Sequence, residues 1–386
     1  MAQVRQFTVE ITDAQIDELR QRLAQTRFPE KEPVADWSQG IPRDYLRELV
    51  DYWRNDYDMR RVATRLNAHP QFFAELKVDG VELGIHFLHI RSKHPDARPL
   101  IMTHGWPGSV LEFLEVIAPL TDPEDPSEAF HLVIPALPGY GFSAKPTVSG
   151  TGAERIARAW HQLMGELGYA EYYAQGGDWG SLVTAVLGIQ NPPGLRGIHV
   201  NMALSSPAAF AELGEPTPAE QEMLGRLRHY AEQEAGYSTQ QSTRPQTLGY
   251  ALADSPAGQL AWIVEKFHAW TDCARDGVKH PENAVPRDVL LDNVMMYWLT
   301  NSATSSARLY WESFGQFLKE PVAVTAPSAY TRFPEEIGQA SERWVRFRFP
   351  ELRYYGESPR GGHFAALEQP EIFVREVRAA IGALAK

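Results

Sequence analysis

Tyr173-Ala174-Gln175-Gly176-Gly177-Asp178-Trp179-Gly180 is the stretch on which the rest of the chain turns. An apolar run leads into a glycine-flanked aspartate, and the helix-compatible run Ser181 to Leu187 follows. This order reads as strand, sharp turn, helix. It is the geometry of a nucleophile elbow, whose usual pattern is Gly-x-Ser-x-Gly around a strained central residue. Here the centre is Asp178. The glycines suit an elbow because they let strand and helix approach closely and tolerate unusual backbone angles. A plain Gly-rich turn with an aspartate at a helix N-terminus would also fit, since the charge suits the helix dipole. Partners elsewhere in the chain separate the two readings.

The 386 residues suffice for one large domain with insertions or for two domains, and a 44% hydrophobic composition supports a sizeable core. A net charge of -12 argues against a nucleic-acid or anionic-membrane partner. The single cysteine, Cys273, excludes an internal disulfide framework and points to a reducing, cytoplasmic setting. Neither a secretory leader nor a run of about 20 apolar residues is expected to contribute.

Along the chain, Phe7 to Thr12 reads as a short extended piece feeding a helix with apolar positions at Ile16, Leu19 and Leu23. Tyr45 to Tyr57 is a second helix, and Phe72 to Ile90 is an extended pair turning at Asp79-Gly80. His86 and His89 fall on opposite faces of its second arm, so a metal site there is not expected. From Pro99, short apolar strands alternate with helices through Met202, which predicts a parallel α/β sheet. Residues 205–319 carry no obvious strand and read as an inserted helical lid. Strands resume at Val322 to Thr325 and Leu352 to Tyr355, and a helix from Ile372 to Leu384 ends the chain. The expected division is a meander over 1–95, a first core segment over 96–204, the lid, and a second core segment over 320–386.

This pattern is similar to the α/β-hydrolase fold, which orders its catalytic groups nucleophile, acid, histidine along the chain. Asp178 is the candidate nucleophile. His363, behind Gly361-Gly362 and after the last strand, is the candidate base. The acid should follow the penultimate strand, where Glu335 and Glu336 both qualify. In such a fold the backbone N–H groups of Trp106 and Trp179 would form an oxyanion hole. Trp106, Trp179 and His104 would also line the substrate side. A carboxylate is nucleophilic at neutral pH without a base and suits displacement at saturated carbon. Epoxides and alkyl halides both fit. An epoxide oxygen needs a proton donor, which lid tyrosines could supply.

The chain resembles the epoxide hydrolases of the microsomal and juvenile-hormone type from about Phe7 to Ala380. The resemblance rests on Tyr57-Asp58, Asn67 with Phe72, His104-Gly-Trp-Pro-Gly-Ser, Gly176-Gly-Asp-Trp-Gly, Ser242-Thr-Arg-Pro-Gln-Thr, Phe333-Pro-Glu-Glu and Gly361-Gly-His-Phe-Ala. It implies an α/β-hydrolase fold with an N-terminal meander and helical lid, Glu336 as the acid, and Tyr237 and Tyr310 as lid proton donors. Many relatives have two adjacent aromatics at that point; here they are Tyr310 and Trp311, which leaves one hydroxyl. Met59 stands where the family usually has tryptophan, and the membrane anchor of microsomal members has no counterpart, as in soluble bacterial-type members. The implied partners are an epoxide and water, with no nucleic acid, membrane, metal or cofactor; a homodimer is left open. The alternatives are a hydrolytic dehalogenase using the same aspartate and a non-catalytic ligand-binding relative.

Overall fold

The computed structural model describes residues 3–202, 212–317 and 322–386. Nine strands form one sheet in the order β1-β2-β3-β5-β4-β6-β7-β10-β11. β1 (Gln3–Gln6), β2 (Gln71–Val78), β3 (Val81–Ile90) and β5 (Phe130–Pro135) run antiparallel to one another in sequence along the sheet. β4 (Arg98–Thr103), β6 (Tyr172–Gly176), β7 (Leu195–Val200), β10 (Ser328–Arg332) and β11 (Leu352–Glu357) continue it in parallel. β5 and β6 are buried along their length and β4 from Leu100 onward because helices cover both faces, hence their apolar character. β6 lies at the centre between β4 and β7, so the residue following it emerges at the carboxyl edge of the parallel strands.

Three expectations need correcting. The first strand is Gln3–Gln6, and residues 7–12 lack a ladder apart from the Phe7 N–H bond to Gln71 O at 2.9 Å. The helix that follows begins at Asp13, capped by the Thr12 hydroxyl. Val322 to Thr325 is not a strand. The Val324 amide donates to Arg348 O and the Ala326 amide to Gly188 O, so helix ends take the amides a ladder would use. The ladder starts after Pro327, at Ser328. The lid, finally, holds a small hairpin of β8 (Ala274–Arg275) and β9 (Val278–Lys279). Its turn residues Asp276 and Gly277 have φ 51° and 79°, the same chemistry as Asp79-Gly80.

The described part of the lid is otherwise helical, from Pro218–His229 to Ala303–Phe317. Its expected boundary residues, Ser205 and Lys319, lie outside the described residues. Residues 7–70 run beneath the lid as three helices, Asp13–Ala24, Arg43–Asn55 and Arg61–Asn67. Among the described residues no helix is long and apolar enough to cross a membrane.

Candidate active site

β6 ends at Gly176, and helix Trp179–Gln190 begins three residues later. Asp178 makes that turn with φ 50° and ψ -124°, a region L-residues rarely occupy. The flanking glycines permit it by close approach. A Cβ at Gly176 would lie 2.1 Å from Gly180 O, and one at Gly180 would lie 1.9 Å from Thr103 O. Neither position can accept a side chain without moving backbone.

Asp178 Oδ1 accepts from the Trp106 amide at 2.7 Å. The turn carrying Trp106 is drawn in by Gly105, where a Cβ would meet Oδ1 at 2.1 Å. His104 holds that turn with both ring nitrogens: Nδ1 donates to Gly105 O at 2.9 Å and Nε2 accepts from Leu137 N at 3.2 Å. Burial lowers the pKa of His104 to about 4, so the ring is neutral and this tautomer follows from its partners.

Asp178 Oδ2 faces His363 Nε2 at 3.3 Å, close but off the line of a hydrogen bond. On the other side, His363 Nδ1 lies 2.8 Å from Glu336 Oε1. Burial disfavours a charged ring, yet Glu336 and Asp178 together outweigh it and raise the His363 pKa well above its ordinary value. The two adjacent glutamates part company here. Glu336 is 1% exposed and also accepts from the Ile337 and Gly338 amides, whereas Glu335 turns outward to Arg226 at 3.2 Å.

The lid brings Tyr237 and Tyr310 onto Trp106. Tyr237 stacks on its ring at 4.8 Å, Tyr310 meets it edge-on at 5.9 Å, and the two tyrosine rings are 5.7 Å apart. Trp179 closes against Tyr310 at 4.7 Å. The Tyr237 hydroxyl shares a 2.9 Å hydrogen bond with Tyr230, while the polar group facing Tyr310 Oη is the Trp179 indole. Burial raises both phenols well above their ordinary pKa, and the nearby Asp178 charge adds to it, so both carry their proton at neutral pH. Trp311, next in sequence, points outward and is 54% exposed.

Three residues that the sequence reading missed complete the site. Trp270 accepts from the His363 amide at 2.9 Å through its carbonyl and packs its ring 5.1 Å from the imidazole. Glu368 ties down the histidine loop, accepting from the amides of Asp272, Gly362 and Phe364. Glu112 walls a small cavity beside Asp178 and His363 that neither tyrosine lines. Glu368 had a signal, since a glutamate in the short apolar run after Gly-Gly-His-Phe asks for buried partners. Trp270 had none, because only the lid's docking brings it to the loop. His86 and His89 bond to Gln71 and the Tyr169 hydroxyl, and among the described residues no group of three His, Cys, Asp or Glu side chains is arranged to hold a metal ion.

Two family models match the chain: the epoxide hydrolase N terminus over residues 4–113 and the alpha/beta hydrolase fold over residues 98–246. A Stigmatella aurantiaca protein, provisionally named an epoxide hydrolase, is 48% identical over 96% of this chain and 83% of its own length. Epoxide hydrolase 1 of Sus scrofa is 36% identical over 99% of this chain and 89% of its own. The crystal structure of juvenile hormone epoxide hydrolase from Bombyx mori superposes with a TM-score of 0.90 at 34% identity, covering 100% of this chain and 95% of that one. With a shared fold, near-complete coverage and this level of identity, the chain belongs to the epoxide hydrolases of the microsomal and juvenile-hormone type.

Proposed function

We propose that the protein hydrolyses a small-molecule epoxide to a vicinal diol through an ester on Asp178. The observation that carries this reading is the strained Asp178, set between the Trp106 amide at 2.7 Å and a His363 that is 2.8 Å from Glu336. A carboxylate needs no base to attack, so Oδ2 opens the ring at carbon while Tyr237 and Tyr310 protonate the leaving oxygen. Esterification removes one of the two charges that raise the His363 pKa. The ring then surrenders its proton, by way of solvent, to the tyrosinate and becomes a neutral base. It takes a proton from water as the water oxygen bonds to Cγ of Asp178. The Trp106 and Trp179 amides hold the developing oxyanion on Oδ1. Collapse breaks the Cγ–Oδ2 bond as the imidazolium protonates the departing alkoxide and then takes the proton of the new carboxyl group. The diol leaves with an oxygen that came from Asp178, and the carboxylate regains one from water.

In this reading Glu336 orients and charges the imidazole, and His104 shapes the Trp106 turn. Residues 1–95 and 205–319 frame the site around core segments 96–204 and 320–386. Water is the only co-reactant, and a cytoplasmic setting suits the single cysteine. Hydrolysis of styrene oxide in water enriched in heavy oxygen tests the route. Label is expected in the Asp178 peptide after repeated turnovers, and His363→Gln is expected to accumulate an alkylated enzyme visible by intact mass. Label confined to the diol after many turnovers, with no adduct in the variant, means direct attack by water. Bromide release from a bromoalkane at a comparable rate would favour the dehalogenase instead.

A further inference from the structure

The cavity beside the elbow holds about 10 Å³ for the centre of a water-sized sphere, room for about one water molecule. A buried water also needs two to four polar partners. Among the cavity's lining residues, His363 Nε2 and Gln175 Oε1 are buried without a hydrogen-bond partner, and Asp178 presents its carboxylate. Glu112 supplies the remaining polar group. It projects from the short 3-10 turn Val110–Phe113, an otherwise apolar element. The turn before it is shaped to receive the carboxyl, because a Cβ at Gly108 would lie 1.5 Å from Glu112 Oε1. Gln175 is in turn held by Asn201, with Nε2 donating to Oδ1 at 3.1 Å, which leaves its carbonyl oxygen for the cavity.

The geometry points to Glu112 as the positioning residue for the water that cleaves the Asp178 ester, with Gln175 as its second anchor. This rests on the covalent route proposed above. One hydrogen of the water goes to His363 Nε2 and the other to the Glu112 carboxyl or Gln175 Oε1, which turns a lone pair toward Cγ of Asp178. Burial pushes the Glu112 carboxyl up to about 8, the Asp178 and Glu368 charges adding to it and His363 and the Ser109 amide opposing it. At neutral pH the group is therefore largely uncharged, able to accept and donate without competing with Asp178 for the imidazolium.

The test separates the two half-reactions with styrene oxide under pre-steady-state conditions. Glu112→Leu is expected to alkylate at close to the parent rate but to hydrolyse the ester on the order of 10²-fold more slowly, the usual cost of a misplaced reactant. The ester should then accumulate in intact-mass spectra, and KM should fall with kcat. Glu112→Gln, which keeps an acceptor oxygen and the volume, should recover part of the hydrolysis rate. Ester hydrolysis at the parent rate in Glu112→Leu overturns the role, as does an equal fall in both half-reactions, which marks a structural residue. Absence of label in the Asp178 peptide after many turnovers, with no adduct in His363→Gln, overturns the covalent route itself, and this role with it.

Discussion

Tyr310 shows what a single residue contributes when its surroundings offer its hydroxyl proton no acceptor. A buried hydroxyl proton without an acceptor costs stability, on the order of 1 kcal/mol or more, and the Tyr310 hydroxyl, faced by the donor-only Trp179 indole, is such a group. The cost makes sense if the hydroxyl waits for an alkoxide. Tyr310→Phe is therefore expected to slow alkylation on the order of 10²-fold while the denaturation midpoint does not fall. Tyr237→Phe should slow alkylation similarly but forfeits its bond to Tyr230 as well. Stopped-flow alkylation and urea titration on both variants check the pair. Unchanged alkylation in both variants would move the proton donors elsewhere.

Helix Pro218–His229 illustrates the next scale, because one side chain both starts the element and moors it. Glu220 completes a capping box with Thr217, its carboxylate accepting from the Thr217 amide at 2.8 Å. The same carboxylate takes Arg343 Nε at 2.7 Å and the Ser341 hydroxyl at 2.5 Å from the region before β11. Arg343 foremost, with help from Ser341 and Thr217, outweighs burial and lowers the Glu220 pKa to about 2. The folded-state pKa lies below the unfolded value. The contribution is therefore present at neutral pH, and is lost as pH falls from about 4.5 toward 2. Glu220→Ala should cost on the order of 2 kcal/mol at pH 7. The difference from the parent should shrink across that acid window, as pH-resolved denaturant titrations would register. A gap that stays constant down to pH 2 would mean the carboxylate contributes nothing beyond packing.

At the scale of the whole molecule, the N-terminal segment acts as a clamp on the lid. Tyr45 donates to Glu282 at 2.9 Å, Tyr52 to Asp288 at 2.7 Å and Tyr57 to Asp292 at 2.6 Å. Trp37 stacks on His268 at 3.9 Å. Asp292 is fully buried and also receives Arg65 at 2.8 Å and Arg61 at 3.2 Å. Removing one partner from such a cluster strands the others, at a cost of about 3–5 kcal/mol. Asp292→Ala should lower the denaturation midpoint accordingly and loosen the lid enough to raise KM for styrene oxide. An unchanged midpoint would mean the N-terminal helices are not fastened through this aspartate.

Periodicity and turn chemistry in the sequence were enough to establish the alternating α/β core, the elbow at Asp178 and the Asp79-Gly80 hairpin, because each depends on neighbours within a few residues. The Asp276-Gly277 turn has the same local chemistry, but its flanking strands are two residues long, too short to show an alternating pattern. Ser328–Arg332 was not legible. Its polar sequence is a strand because β7 and β11 flank it, whereas the more apolar Val322 to Thr325 spends its backbone on helix ends. The choice between Glu335 and Glu336 likewise depended on chain direction after β10, which buries one carboxylate against His363 and exposes the other to Arg226. Glu112 and Trp270 gained their significance only from what packs around them. Local patterns fix which elements form, but proximity between residues far apart in the chain is a property of packing, and the water-sized cavity exists only where those elements meet.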